Sequence, residues 1–572
     1  GAPGIDAAAV VAADFDGDGR TDLAAVGADG VLRLFHNATE TAQHWLGVGL
    51  AGVKNLKLAP GAEVEVKAGA SYQKLLYAGT PLVFGLGAYT TADTVRITWP
   101  NGLIQNEPRQ TAGQARVYKE AQRLSGSCPM IFTWDGERYR FITDVLGVAP
   151  LGASSGDGEY FPVDHDEYVQ IPGEALAALP EVNGRFSIHV TEELREVSYL
   201  DQIRLLALDH PREVEIFTND KFKGPPFPEY RLFGVRRRIY PRSARDGDGR
   251  DVLPRLLAKD ATYPDGFRRD YAGVAEIHTL DLDFGADSSG RPVAADGRAV
   301  LILSGWVDWA DGSTFLGTAQ RTVGNPGLLM PQLQVKDAAG RWKTVIEDMG
   351  IPSGKPKTIA VDLTGKFLSA SREVRIVTNL CVYWDEIFLS EETAAPAVRT
   401  TVLDPAAADL HFRGFSTPVI HPQRKQPEEF DYSHLQPLSM WNPTPGLYTR
   451  YGDVTELLTD LDDRLLIMGS GDEVRLSFAA SRLPPLPAGW RRDFLLLVDG
   501  WAKDADANTA FGETVEPLPF HGMSRYPYPT GEHFPADPEH ARYRAEYNTR
   551  PALRLIRSLR PEGASGAPGV EP

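Results

Sequence analysis

Cysteine is nearly absent: Cys128 and Cys381 are the only two in 572 residues, far apart and in no Cys-x-x-Cys or haem-attachment pattern. That excludes a disulfide framework and a cysteine-built zinc or iron–sulfur site; two buried thiols are expected rather than a bridge. No run of about 18 apolar residues occurs, so no helical membrane span is expected. Positive charge is in short supply: Lys+Arg 59 against Asp+Glu 77 gives 59 − 77 = −18. An acidic chain of this kind does not bind nucleic acid through its bulk field. Its one basic cluster, Arg236-Arg237-Arg238, reads as a solvated or internally paired strand end. Missing as well are a Gly-x-Ser-x-Gly elbow, a His-Glu-x-x-His helix, a phosphate loop and a dinucleotide fingerprint, which counts against catalysis. Long helical periodicity is scarce, and 43 prolines and 55 glycines divide the chain into short apolar strands. The fold class expected is therefore all-β.

What is present is acid in a pattern. Asp14, Asp16, Asp18 and Asp22 take positions 1, 3, 5 and 9 of a loop bent at Gly17 and Gly19. Alternate carboxylates in a tight loop converge on one point, and a backbone oxygen near Arg20 adds a further ligand, which suits calcium. An EF-hand needs a bidentate Glu at position 12, where this loop has Ala25. Downstream, two apolar runs around Ala28-Asp29-Gly30 predict a β-hairpin. The metal ligands expected are thus Asp14, Asp16, Asp18, Arg20 through its backbone, and Asp22, with calcium as cofactor.

Asp-x-Asp-x-Asp-Gly-x-x-Asp leading into a hairpin resembles the calcium loop of FG-GAP or VCBS propeller repeats. Only one such loop is present, and the chain opens on Gly1, so it is read as a processed or trimmed product. Farther on, Gly61-Ala62-Glu63-Val64-Glu65-Val66, Phe84-Gly85-Leu86-Gly87 and Asp93-Thr94-Val95-Arg96-Ile97-Thr98-Trp99-Pro100-Asn101-Gly102 resemble, in order, the ASPIC/UnbV domain of cartilage-acidic-protein-like proteins. That resemblance runs from about residue 44 to 120 and implies no catalytic residue.

The larger half carries an internal echo. Apolar strands 299–304 and 494–499 each run into Gly-Trp-x-x-x-Ala-Asp-x-x-Thr, at Gly305-Trp306 and Gly500-Trp501. Asp251-Val252 and Asp453-Val454 echo upstream, and Tyr199-Leu200-Asp201 matches Tyr383-Trp384-Asp385. Alternation in these strands puts Ile and Leu inward and leaves the Asp near a sheet edge, and the Tyr-x-Asp-x-Ile-x-Leu pattern resembles the closing strand of galactose-binding-like jelly rolls, which implies β-sandwich modules. The division expected is a calcium repeat at 1–43, an ASPIC/UnbV-like domain at 44–122, β-sandwiches at 123–245, 246–395 and 396–525, and a proline-rich tail at 526–572.

Three further constellations bear on function. The loop 157–168 offers Asp164 and Asp166 as a second metal site, against a solvated-loop reading. Trp306 with Asp308 and Asp311, and Trp501 with Asp506, suit a sugar contact if exposed, and are core packing if not. His521, His533, Asp537, Glu539 and His540 lie among prolines, which predicts an extended wrapping segment. The reading is an exported (secreted, periplasmic or cell-surface), calcium-binding, non-catalytic adhesion or scaffold protein with a glycan or extracellular protein partner. A secreted carbohydrate-active enzyme and a structural subunit of a larger extracellular complex stand as alternatives.

Overall fold

The structure is a computed structural model that describes residues 6–552, apart from 54, 101–102, 122–128, 149, 157, 163, 180–183, 220, 272, 286–297, 309–310, 320–326, 392–396, 422–426, 437–442 and 507. Cys128 and the tail from 553 onward lie outside the described residues. Strands hold 49% of the described residues and helices 6%, so the protein is all-β. Among the described residues no helix is long and apolar enough to cross a membrane.

At the N-terminus, strands Ala7–Ala13, Asp22–Gly27 and Leu32–Phe35 form an antiparallel meander, with the hairpin turn where Ala28-Asp29-Gly30 predicts it. The next unit is a small sandwich. Its four-stranded sheet takes Ser71–Leu76, Glu63–Ala68, Thr91–Thr98 and Ile104–Thr111; its three-stranded sheet takes Gln114–Lys119, His44–Ala51 and Leu82–Gly87. Alternation decides which side chains face inward: Val64, Val66, Val95 and Ile97 are buried while their neighbours are not. This core continues into Met130, Phe132, Phe415 and Phe430, which joins it to the next unit.

The larger half contains two sandwiches whose strands are shared out unexpectedly. In the outer one, Arg185–Thr191 pairs with Asp472–Ala479, and Val197–Pro211 pairs with Trp490–Lys503. The inner one pairs Val274–Asp283 with Glu373–Leu380, and Val300–Val307 with Val382–Ser390. Strand pairing therefore runs between residues 123–245 and 396–525, across the consecutive division read from sequence.

The two sandwiches match residue for residue. Trp501 lies opposite Tyr199, and Trp306 opposite Tyr383. The strand register shifts beside them, passing over Asp201 in one and Asp385 in the other. Asp201 accepts from the backbone N–H of Asp462 and Asp463, both at 3.0 Å. Asp385 accepts from those of Asp260 and Ala261, at 3.2 and 3.3 Å. Asp463 and Ala261 are both left-handed, at φ 63° and 60°. So each bulged carboxylate braces a strained turn rather than lying at a sheet edge, a correction to the alternation argument; Asp201 is 0% exposed. Chain order is permuted between the copies. The half carrying Tyr-x-Asp comes first in the outer sandwich and last in the inner one. The sequence is thus two tandem repeats, of which the first repeat's leading half pairs with the second repeat's trailing half.

Candidate functional site

The acidic loop joins the first two strands, with Gly17 and Gly19 at φ 80° and 84°. Asp14 Oδ1 accepts from Gly17 N–H at 2.8 Å and Oδ2 from Gly19 N–H at 2.9 Å. Asp16 accepts from Asp18 N–H at 3.2 Å, and Asp18 from Arg20 N–H at 2.8 Å. One carboxylate oxygen each of Asp14, Asp16 and Asp18 lies within 4.8 Å of the others. Asp22 is 4% exposed and accepts from Phe15 N–H at 3.2 Å and Asn37 N–H at 2.7 Å. These backbone donors, Asn37 first, hold its carboxyl below the usual range.

The loop fits a hard cation by its donor set; Asp18 Oδ2 is buried there in an ion pair with the Arg20 guanidinium. Arg20 Nε also donates to the Asn37 carbonyl at 2.6 Å. His36 completes the ring of groups, with Nδ1 2.8 Å from Asp16 and 3.4 Å from Asp22. Sequence reasoning missed His36; the hairpin register, in which Leu23 faces Phe35, is the signal that puts it beside Asp22. Gly19 rests on the Trp45 indole so closely that a Cβ would fall 2.1 Å from the ring, which ties the loop to the following sandwich.

Asp164 is buried and accepts from His165 N–H at 3.0 Å; burial, then the Asp166 charge, pushes its carboxyl up to about 7. Asp166 opens the strand Asp166–Ile171, opposite Asp499. Among the described residues, neither Asp164 nor Asp166 belongs to a group of three donors within 4.8 Å, whereas His165 between them does, with Asp499 and His521. Trp306 is 3% exposed and stacks on Tyr383 at 4.7 Å and 15°; Trp501 is 2% exposed and lies 4.8 Å from the His521 ring. Neither ring offers a face to a sugar. Asp308 pairs with Arg269 at 2.9 Å, and Asp311 accepts from Thr314 N–H at 2.9 Å before the helix Gly312–Ala319. Asp311 and Asp506, equivalent positions of the two copies, meet with Asp504 within 4.8 Å. Buried Arg195 counters that charge, 3.1 Å from Asp504 and 3.9 Å from Asp506.

The proline-rich segment is not simply extended. Residues Pro538–Tyr547 form a helix that Asp537 caps by accepting from Glu539 and His540 N–H. Ahead of it, His521 Nδ1 lies 2.7 Å from Asp463 and Nε2 2.9 Å from Asp499. Elsewhere, an open cleft of ≈ 630 Å³ is lined by Trp134, Tyr139, Phe412, Tyr432, Arg413 and Arg475, among others.

These features define an all-β protein of linked sandwiches with an acidic, cation-suited loop at its N-terminal meander. Within it, residues 52–124 match the family described as ASPIC and UnbV, which places that domain on the small sandwich. No curated protein matches the chain.

Proposed function

We propose that this chain is an exported, calcium-stiffened β-scaffold that works by binding a glycan or an extracellular protein. The observation that carries the proposal is the convergence of Asp14, Asp16 and Asp18 in a loop that Asp22 braces from the next strand. An open site of this kind, dominated by carboxylate oxygens, is filled where calcium is millimolar, which is outside the cell. The meander that the loop stiffens resembles one FG-GAP or VCBS blade. It leaves Val10, Val11, Leu32 and Leu34 more than half exposed, and blades bury such faces on neighbours. In this reading calcium fixes the blade as an assembly surface. Sugar contact falls to the open cleft, where Tyr432 and Phe412 supply rings and Arg475 a half-exposed cation, rather than to the buried Trp306 and Trp501.

Binding arrays of glycans and extracellular proteins, run with calcium and with chelator, test this. Binding that is lost in chelator is expected. Equal binding in both conditions removes calcium from the mechanism, and sustained turnover of a glycan or ester by the pure protein overturns the non-catalytic assignment.

A further inference from the structure

Near the end of the outer sandwich, three donors from distant parts of the chain meet. His165 Nδ1 lies 2.8 Å from Asp499 Oδ2, and His521 Nε2 lies 2.9 Å from Asp499 Oδ1. The two imidazoles stand edge to face, with centroids 4.8 Å apart. We propose that His165, Asp499 and His521 form a binding site for a divalent transition metal of the zinc class.

Two nitrogens and one carboxylate make a donor set of borderline softness, which favours zinc and its neighbours over calcium. The surroundings are those of a metal-bound histidine. His521 donates from its other nitrogen, Nδ1, to Asp463 at 2.7 Å, an outer carboxylate that orients the ring; without metal Nε2 also donates, to Asp499, and an ion takes the place of that proton. Beyond it, Asp201 is fully buried, and its Oδ1 has no hydrogen-bond partner among the described residues. Trp501 walls the cluster on one side, 4.8 Å from the His521 ring. On the other side the His165 side chain is 44% exposed, which leaves a way in and room for water as fourth ligand. Donor separations of 2.8 and 2.9 Å must open by about half an ångström to straddle an ion with bonds of ~2.0–2.1 Å.

The inner sandwich serves as a control within the same chain. There the register places Ser304 where the outer copy has Asp499, and Lys357 where it has His165. Only the bulged carboxylate, Asp385 for Asp201, is retained. A sandwich of this type therefore folds without the His–Asp–His cluster, so its presence in one copy asks for another reason than the fold.

The test is Co(II) uptake by the full chain, read by visible d–d absorption and by competition with Zn(II). It uses an Asp14→Asn/Asp16→Asn background so that the N-terminal loop cannot contribute. One equivalent of Co(II), displaced by Zn(II) but not by Ca(II), is expected. His165→Ala should abolish it, and Asp463→Asn should weaken it about tenfold to a hundredfold. His165 is 44% exposed, so His165→Ala removes little packing, and circular dichroism of the metal-free variant checks that it stays folded even where His521→Gln does not. Absence of uptake in the loop-deficient background, or uptake unchanged by His165→Ala, overturns the proposal.

Discussion

Replacing Trp501 separates packing from recognition, the two roles its sequence context suggests. The ring is 2% exposed and belongs to the main core, where it sits opposite Tyr199 and near His521. A buried indole truncated to alanine costs about 3–5 kcal/mol, transfer and cavity together. For a cooperative unit of 150–250 residues each kcal/mol lowers Tm by roughly 2–4 °C, so Trp501→Ala should lower it by about 6–20 °C. Trp306 gives the contrast. It packs in a satellite cluster with Tyr263, Ala275, Cys381 and Tyr383, and its Nε1 is buried without an acceptor among the described residues. An orphaned donor costs about 1–3 kcal/mol, so Trp306→Phe should trade lost contacts against that relief and stay within about 1 kcal/mol of the parent. Differential scanning calorimetry of the four variants, Ala and Phe at each position, measures both. A Trp501→Ala melting point within about 2 °C of the parent would refute the packing argument and return that ring to ligand binding.

Calcium should protect residues 10–36 from limited proteolysis, and Asp16→Asn/Asp18→Asn should remove that protection while the main melting transition stays where it was. Asp385→Ala leaves the N–H groups of Asp260 and Ala261 unmet and should cost about 1–3 kcal/mol by urea unfolding; no loss would contradict the brace. Lys503 is 1% exposed, and burial brings its ammonium down to about 7. A depressed folded value means stability present above the unfolded lysine range, near 10.5, and lost as pH falls through about 7. Lys503→Met should therefore raise Tm more at pH 6 than at pH 9; equal shifts would refute this. With Cys128→Ser as background, Cys381, fully buried and pushed up to about 12, should react with a thiol reagent only on unfolding.

The strands were legible where burial has a period. Glu63–Ala68 alternates in the structure as its sequence does, and the Asp14–Asp22 loop bends at the glycines that mark it. The Gly-Trp and Tyr-x-Asp echoes gave away the repeat because each pairs with the other at one bulge. Which half pairs with which was not legible, since two similar halves present the same apolar face to either partner. Nor was the His165–Asp499–His521 cluster, whose members share no local spacing and meet only through the Trp490–Lys503 strand. The Asp201 brace was hidden for a different reason: a carboxylate read as polar belongs at an edge, and only the two N–H groups of the 462–463 turn explain its burial.

The exchange of halves has a consequence during synthesis. As the chain emerges, Val197–Pro211 appears before any of its strand partners, and Arg185–Thr191, already paired with Met130–Trp134, still lacks Asp472–Ala479. The first matching half to follow, Val274–Val307, belongs to the other sandwich. The nascent protein thus meets a near-copy of its correct partner before the correct one exists. The late pairing brings contacts that residues 274–307 do not supply, such as Arg492 on buried Asp209 and the Tyr199 hydroxyl donating to the Val515 carbonyl. Completion of the outer sandwich therefore waits on residues 472–503, which are made after the whole of the inner one.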